Sequence, residues 1–347
     1  MTKILPYNLN VGFKTECTTF RILGAILSTN KYLPWYVENF ISMYINSNFI
    51  TSFYRVDPIN IFKEVVELVM INDKEDIITT IQNQINSYNY IYLISDYYFV
   101  KGSDYYMKQH YRHAMLVIGY DEKLNDFYYV EIYKAGWGIH KIKYNDLEKA
   151  YISDLTRFRE NFDSSYWGYG YFHPASAISL KNFNRDVNLY TVLKNLEEFI
   201  NGGATKTYDI NGNLTSSHRI GVSIYDSYIE LSDKNLKKIE QKESLAIHYS
   251  IIWGFKRVVE NKQGLLFRLK YLSKNKYINL DCNLIESINN LIQLLDIAFK
   301  NLVKYSTTQK NIEIEKFRKY ISEAKRIDYD ILCRSKDYVY KALREKT

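Results

Sequence analysis

The sequence predicts an α+β fold with a mixed first half and a mainly helical second half. Apolar residues in the segment 17–27 recur at helical spacing, whereas the segment 90–133 contains runs rich in β-branched and aromatic residues, as strands do. From residue 186 onward the helical period dominates again. A chain of 347 residues is long enough for two domains. We therefore expect domains at residues 1–182 and 183–347.

The helices expected in the first half follow from apolar stripes. Residues 17–27 have apolar side chains at positions 20, 23, 26 and 27. Residues 60–69 and 74–87 carry similar stripes, which predict an amphipathic helix in each segment. Residues 37–44 form either another helix or a short irregular segment.

The strands expected next are residues 90–94, 113–120 and 127–133. A polar turn, Asp-Glu-Lys-Leu-Asn-Asp, separates the last two strands, which should form an antiparallel hairpin. A Gly-Trp-Gly sequence follows the hairpin, and residues 139–144 are expected to add a third strand before a helix at 145–151.

The second half is expected to consist largely of helices, because apolar residues keep the helical period there. Glycine and asparagine residues interrupt this pattern and mark the loops. The expected helices are residues 186–201, 233–262, 265–273, 282–305 and 309–346.

Composition excludes several classes of protein. Aromatic residues make up 16% of the chain, which gives enough apolar surface to bury and argues against intrinsic disorder. The three cysteines are far apart and odd in number, so a disulfide framework is not expected. No Cys/His cluster has the spacing of a metal site. We expect no metal and no other cofactor.

The charge and hydropathy patterns indicate neither a nucleic-acid partner nor a membrane partner. The net charge of +7 is mild, and no dense basic stripe or binding motif accompanies it. No run approaches the roughly 20 apolar residues that span a bilayer. Residues 1–10 lack the features of a signal peptide. We therefore expect a cytoplasmic protein with reduced thiols.

Cys17, His113 and Glu131 form the strongest candidate for a catalytic site. Cys17 begins its predicted helix, where the positive end of the helix dipole favours a thiolate. His113 begins one strand of the predicted hairpin and Glu131 lies near the end of the other, so both should lie at the same end of the sheet. An acid bound to one imidazole nitrogen allows the other nitrogen to accept the thiol proton.

Simpler interpretations of the same residues remain open. A cysteine on an apolar helix is often part of the core, and a histidine on a strand often makes only structural hydrogen bonds. Cys282 and Cys333 lie in predicted helices, where we expect ordinary structural positions. The order of thiol, base and acid is that of papain-type cysteine enzymes.

The chain resembles papain-fold cysteine peptidases of the bacteriocin-leader-processing type, and more closely the acyltransferases typified by the butirosin pathway. The segment 113–122, HAMLVIGYDE, resembles the histidine strand of that family. The segment 127–131, FYYVE, then 134–136 and 144–151 match its continuation. Further matching positions in the second half are 221–226, His248 and 268–272.

The resemblance implies a papain-like domain with an appended helical domain, and a two-step acyl transfer. Cys17 would take an acyl group from the phosphopantetheine thioester of an acyl or peptidyl carrier protein. A small amine would then receive it with His113 as base and Glu131 as orienting acid. The product would be an amide of secondary metabolism, such as antibiotic biosynthesis. The chain also looks similar to amide synthases of clostridial thiotemplated pathways of the closthioamide type.

The sequence departs from the family pattern in three respects. The family often has a His or Gly-rich context around the thiol, whereas here Glu16 precedes Cys17 and Thr18-Thr19 follow it. Leader peptidases carry a glutamine upstream of the cysteine as an oxyanion donor, but no Gln precedes Gln82 here. Asn8 and Asn10 are the candidates to replace it, beside the backbone N–H of Cys17. Glu131 stands where the family more often has Asp. The missing Gln weighs more against peptidase activity than against acyl transfer.

Aromatic residues near the predicted hairpin are candidates to line a substrate channel, although ordinary packing is the alternative explanation. They lie in loops around the histidine strand and in a Gly-spaced aromatic run further on. The candidates are Tyr97, Tyr98, Tyr106, His110, Trp137 and Trp167.

Two other functions remain open from the sequence. The first is a cysteine peptidase or amidase, in which water accepts the acyl group. The second is a catalytically inactive protein that keeps the fold and binds a small molecule.

Overall fold

The computed structural model contains two compact units that interleave along the chain. The first unit comprises residues 1–11, 18–32 and 59–184, and the second comprises 12–17, 33–58 and 185–347. Segments 12–17 and 33–58 therefore group with the C-terminal half rather than with their neighbours in sequence. The residues that the structure describes are 1–46, 49–53, 61–72, 76–133, 136–157, 175–208, 214–231, 235–236, 239 and 245–346.

Strands and helices are numbered here in chain order. The strands are β1 (Thr2–Ile4), β2 (Tyr44–Asn46), β3 (Thr51–Ser52), β4 (Val66–Ile71), β5 (Tyr90–Asp96), β6 (Arg112–Asp121), β7 (Asp126–Tyr133), β8 (Gly136–Lys143), β9 (Ala175–Leu180), β10 (Ala204–Tyr208) and β11 (Leu214–Ile220). The helices are α1 (Cys17–Ile26), α2 (Leu33–Glu38), α3 (Ile77–Asn86), α4 (Tyr144–Arg157), α5 (Leu189–Asn201), α6 (Ile224–Ile229), α7 (Leu245–Lys274), α8 (Cys282–Thr308) and α9 (Asn311–Lys346).

The first unit is built around an antiparallel sheet with the strand order β4-β9-β5-β6-β7-β8, and β1 pairs with β6. The predicted hairpin is confirmed as β6 and β7, and the predicted third strand is β8. Every residue of β5 is buried, as expected for a strand in the middle of a covered sheet. The first residues of β6 pair with this buried strand, with His113 opposite Ser95.

Helix α1 supplies much of the apolar core of the first unit. All of its residues from Thr18 to Ile26 are buried, including the arginine at position 21. Gly24 allows close packing, because a Cβ at this position would lie 2.1 Å from the Tyr7 ring. The boundaries agree with the predicted helix at residues 17–27.

The prediction of a helix at residues 60–69 is wrong for residues 63–69, whereas residues 61 and 62 are helical and residue 60 lies outside the described part of the chain. Most of that segment's apolar stripe lies in or next to β4, which pairs with β9 from Val66↔Leu180 to Ile71↔Ala175. The partner strand lies about a hundred residues later in the chain, so its effect is invisible to local periodicity. The β-branched residues of this segment fit a pleated strand as well as a helical stripe.

The second unit is mainly helical, as predicted, but it also contains a small sheet. Helix α7 runs without a break where the pattern suggested two helices, 233–262 and 265–273. The sheet has the order β10-β11-β2-β3 and joins strands from both halves of the sequence. No strand was expected in this unit, because its short strands carry little alternation.

A buried ion pair links two long helices of the second unit. Lys262 Nζ on α7 lies 2.8 Å from Asp328 Oδ2 on α9, and both side chains are fully buried. Tyr225 donates a hydrogen bond of 2.9 Å to the same carboxylate. Both charges lose their water in such a pair, so removal of one partner alone would leave an uncompensated buried charge.

The structure confirms the α+β class, with an antiparallel sheet and a helical C-terminal region. Among the described residues, no helix is both long enough and apolar enough to cross a bilayer.

Candidate functional site

The β6–β7 hairpin brings His113 and Glu131 together, as the sequence predicted. His113 Nδ1 lies 3.3 Å from Glu131 Oε2, within hydrogen-bonding distance. Glu131 is only 1% exposed, whereas His113 is 21% exposed. A buried acid that accepts the Nδ1 proton fixes the tautomer and leaves Nε2 as the nitrogen that can take up a proton.

Arg21 on α1 makes a bidentate ion pair with Glu131. Its Nη2 donates to Oε1 at 2.7 Å and to Oε2 at 2.8 Å, and both side chains are 1% exposed. Sequence analysis missed Arg21. The available signal was an arginine among the apolar residues of a helix, because a buried charge requires a partner of opposite charge.

Two further groups hold the Glu131 carboxylate. Tyr97 donates its hydroxyl to Oε2, and the same hydroxyl lies 3.0 Å from the carbonyl oxygen of Ala114. The backbone N–H of Ile132 donates to Oε1 at 2.8 Å. The carboxylate therefore has partners on every side, and it can neither rotate nor move without breaking several bonds.

These contacts keep Glu131 ionised. Burial alone would raise the pKa of its carboxyl, but the Arg21 guanidinium, His113 and the Tyr97 hydroxyl together hold it at about 2. Burial, reinforced by the nearby charge of Glu131, raises the pKa of Tyr97. At neutral pH the acid is therefore a carboxylate and Tyr97 is a donor.

Cys17 is the first residue of α1 and is half-buried. Residues four positions apart lie on the same face of a helix, so Cys17 lies one turn before Arg21 on the same face. The backbone N–H groups of a first helical turn have no partner within the helix and create a positive potential there. Cys17 thus lies at the end of the helix where this potential is positive, and Cys282 holds the same position in α8.

Aromatic rings orient the imidazole of His113. The Tyr111 ring is nearly parallel to it, with centroids 5.9 Å apart, and the Tyr97 ring meets it edge-on at 5.1 Å. Tyr105 stacks in turn on Tyr111 at 3.9 Å. This column runs from the loop that precedes β6 to the histidine.

Trp137, a candidate substrate-lining residue, packs on α1. Its ring stacks on Phe20 with centroids 4.1 Å apart, and the Arg21 guanidinium lies 5.3 Å from the ring centroid. The tryptophan therefore covers the helix beside the Arg21–Glu131 pair. Tyr97, another candidate, is only 3% exposed. Its hydroxyl binds Glu131 rather than lining a substrate channel.

His110 forms a second histidine–carboxylate pair. Its Nδ1 lies 2.6 Å from Asp96 Oδ2, and the Tyr98 ring stacks on the imidazole with centroids 4.4 Å apart. Ser153 on α4 donates to the same carboxylate oxygen at 2.7 Å. Tyr106, from the same loop, is 36% exposed.

The structure does not place Asn8 as an oxyanion donor. Its side-chain amide donates to the Leu27 carbonyl at 3.0 Å. Leu27 lies ten residues after Cys17, which corresponds to about 15 Å along a helix. Asn10 is exposed, and its backbone N–H donates to Asn8 Oδ1 at 2.8 Å. The first-turn N–H groups of α1 remain the donors nearest to the thiol in the sequence.

Trp167, the remaining candidate, lies outside the described residues. Within the part of the chain that the structure describes, no group of three or more His, Cys, Asp or Glu side chains is arranged to bind a metal ion.

The described contacts thus join a histidine and a glutamate on neighbouring strands to the arginine of α1, and Cys17 is the first residue of the same helix. In comparisons with known proteins, no protein-family model and no curated protein matches the chain.

Proposed function

We propose that the protein is a cysteine-dependent acyltransferase that forms amides. Cys17 is the nucleophile, His113 the general base and Glu131 the acid that orients it. The acyl donor is a thioester on the phosphopantetheine arm of a carrier protein, and the acceptor is a small amine. The antiparallel sheet of the first unit, with His113 and Glu131 on neighbouring strands, supports a papain-like fold for this unit.

One observation supports the proposal most strongly. Helix α1 contains both Cys17 and Arg21, and Arg21 binds Glu131, which in turn contacts His113. A glutamate that only filled a core position would be costly to bury, and its partners are arranged to keep it charged. Arg21 fixes Glu131, Glu131 fixes the imidazole, and the same helix fixes Cys17. The same helix therefore carries the proposed nucleophile and the arginine that fixes the acid of the proposed base.

The reaction proceeds in two steps. The Cys17 thiolate attacks the thioester carbonyl, the new C–S bond forms, and the pantetheine thiol leaves with a proton from His113. The amine then attacks the acyl-enzyme, His113 removes its proton, and the Cys17 thiol is released as the amide forms. Exchange between two thioesters is nearly isoenergetic, and formation of the amide is favourable.

The tetrahedral intermediates of both steps carry an oxyanion. The first-turn N–H groups of α1 point toward the helix N-terminus, where backbone donors can bind an oxyanion. This assignment needs no side-chain amide, which agrees with the actual positions of Asn8 and Asn10.

The test uses the benzoyl thioester of N-acetylcysteamine, which has the terminal amide and sulfur of a pantetheine arm. Intact-protein mass spectrometry after brief incubation should show one benzoyl adduct, and peptide mapping should place it on Cys17. Addition of benzylamine should release N-benzylbenzamide and restore the free thiol. Cys282→Ala serves as the matched control, because Cys282 is an exposed thiol outside the site.

Three outcomes distinguish the candidate functions. Amide formation that depends on Cys17 supports the transferase. An adduct released only as benzoate supports a hydrolase. A Cys17→Ala variant that still produces the amide at the wild-type rate contradicts the assignment of Cys17 as nucleophile.

A further inference from the structure

The segment that leads into Cys17 is held by side chains of helix α7. The Thr15 hydroxyl donates to Glu260 Oε2 at 2.7 Å, and the Thr15 backbone N–H lies 3.4 Å from the same oxygen. Arg257 Nη2 donates to the Thr15 carbonyl at 2.9 Å. One residue of the segment therefore has its hydroxyl, its N–H and its carbonyl bound by two residues of α7, all within the second unit.

A buried aromatic anchor fixes the segment two residues earlier. Phe13 is fully buried and has a φ of 64°, a left-handed conformation that is uncommon for residues other than glycine. Its ring packs against Phe53 at 4.1 Å and Phe40 at 5.4 Å. The N–H of Glu16 donates to the Phe13 carbonyl at 3.0 Å and closes a turn just before Cys17.

The hydrogen bond from Thr15 to Glu260 ends on a buried acceptor. Glu260 is 7% exposed, so its carboxylate has little access to water and depends on the donors that surround it. A hydrogen bond to a charged acceptor is shorter and about twice as strong as one between neutral groups. Loss of the Thr15 hydroxyl would leave the carboxylate short of a donor, which is unfavourable in a buried position.

We propose that Thr15, Glu260 and Arg257 are positioning residues that fix the Cys17 thiol for reaction. This inference rests on the proposed function, because it assigns Cys17 as the nucleophile. The three residues do not transfer protons or touch the acyl group. They set the direction in which the chain enters α1, and so the place of the thiol at the helix start. A displacement of about 1 Å in a reacting group can reduce a rate about 100-fold.

The experiment compares Thr15 with Thr51, because the hydroxyl of each makes a hydrogen bond to a buried side chain within the second unit. Thr15→Val removes the hydroxyl that binds Glu260, and Thr15→Ser retains it. Thr51→Val is the matched control, because the Thr51 hydroxyl lies 2.9 Å from the Tyr228 hydroxyl and is fully buried. The Thr51 carbonyl accepts from Arg257 Nη1, and this substitution keeps that backbone contact. Glu260→Gln removes the charge but keeps an oxygen that can accept from Thr15.

The readout is the single-turnover rate of Cys17 acylation by the benzoyl thioester, measured against thioester concentration and pH. Thr15→Val should lower the saturating rate about 10- to 100-fold, with little change in the half-saturating concentration or in the midpoint of the pH profile. The saturating rates of Thr15→Ser and Thr51→Val should stay close to that of the wild type. The rate of Glu260→Gln should lie between those of Thr15→Val and the wild type. Circular dichroism and urea unfolding show whether each variant is folded.

The failures of the two proposals are distinguishable. If Cys17 of the wild-type protein is not acylated, the proposed function fails and the positioning role fails with it. If Cys17 is acylated at equal rates in wild type and folded Thr15→Val, the positioning role is overturned while the proposed function stands. A shifted pH midpoint in Thr15→Val would also overturn it, because it would show an effect on proton transfer.

Discussion

Two histidine–carboxylate pairs lie at the same end of the first unit's sheet, and they differ in what holds the carboxylate. Glu131 is bound by Arg21 of α1 and by Tyr97, and its distance to His113 is 3.3 Å. Asp96 is bound by Ser153 of α4, and its distance to His110 is 2.6 Å. The closer pair is therefore the one without a link to the helix of Cys17.

The two pairs face opposite sides of β6. Adjacent residues of a strand point to opposite faces, and His113 meets the Arg21–Glu131 pair on the α1 side. Its neighbour Arg112 meets Asp154 of α4 at 2.7 Å on the other side. Asp96 also accepts from the backbone N–H groups of Tyr98 and Tyr111, so it fastens the loop before β6.

Because a histidine–carboxylate contact occurs at both places, the contact alone does not distinguish a catalytic base. Asp96 connects the loop before β6 to α4, so we expect its contact with His110 to be structural although the distance is short. The His113 pair differs because its acid is fixed by the helix that carries a thiol. The predictions below separate the two pairs by changing one and then the other.

The largest effect is expected from the two histidines. His113→Ala should lower the rate of amide formation about 10⁴-fold, the upper end of what a general base contributes. His110→Ala should leave the rate near that of the wild type and reduce stability only. Steady-state rates with the benzoyl thioester and benzylamine check both variants. Equal losses in the two variants would remove the distinction between the pairs.

Substitution of the two acids should affect the rate of amide formation in the same order, Glu131 more than Asp96, but less than substitution of His113. Glu131→Gln should reduce the rate about 10²- to 10³-fold, because an amide cannot stabilise the imidazolium or hold the tautomer as a carboxylate does. Asp96→Asn should retain most of the activity. The same assay measures both variants, and full activity in Glu131→Gln would move the orienting role to another acid.

The buried acids on the two sides of β6 should respond oppositely to pH. The pKa of Glu131 is lowered to about 2 and that of Asp154 is raised to about 6, mainly by burial and only partly offset by Arg112. A carboxyl whose pKa is lower in the folded protein stabilises the fold at pH values above its unfolded-state pKa. This stabilisation is lost as the pH falls through the folded-state pKa. A carboxyl whose pKa is higher in the folded protein stabilises the fold at low pH. This stabilisation is lost as the pH rises through the folded-state pKa.

Urea unfolding from about pH 2 to about pH 7 measures these contributions. The free-energy advantage of wild type over Glu131→Gln should grow by about 3 kcal/mol between about pH 2 and pH 5. The advantage of wild type over Asp154→Asn should shrink by a similar amount between about pH 4 and pH 6. Parallel curves for the two variants would contradict the described environments.

The smallest effect is expected from two neighbouring tyrosines. Tyr97→Phe removes a buried donor to a charged acceptor and should cost about 1.5–3 kcal/mol of stability, with about a tenfold loss of rate. Tyr98→Phe keeps the ring that stacks on His110 and should change little. Thermal unfolding and the amide assay on both variants check this, and a larger loss in Tyr98→Phe would be the contrary result.

The sequence predicted the parts of the site that local patterns determine. Helix α1 and the β6–β7 hairpin follow from short-range periodicity and turn chemistry, and the hairpin alone brings His113 beside Glu131. Arg21 was missed because the pairing of a helix with a distant strand is not encoded in local spacing. Its burial in an apolar helix was the only sign of it.

Other features depended on contacts between remote segments. Strand β4 was predicted as a helix because its partner, β9, begins at Ala175. The small sheet of the second unit joins β2 to β11, which lie more than 150 residues apart. The hydrogen bonds of Thr15 to Glu260 also join residues separated by 245 positions. Pairings of this kind follow from the folded topology rather than from local propensity.

The most direct test of the account is the alkylation rate of Cys17 by iodoacetamide at about pH 6, a measurement that requires no substrate. Peptide mass spectrometry gives this rate relative to that of the exposed Cys282 in the same molecule. We expect Cys17 to react faster than Cys282 in the wild type and in His110→Ala, and to lose this advantage in His113→Ala. An undiminished advantage in folded His113→Ala would contradict the claim that His113 serves Cys17.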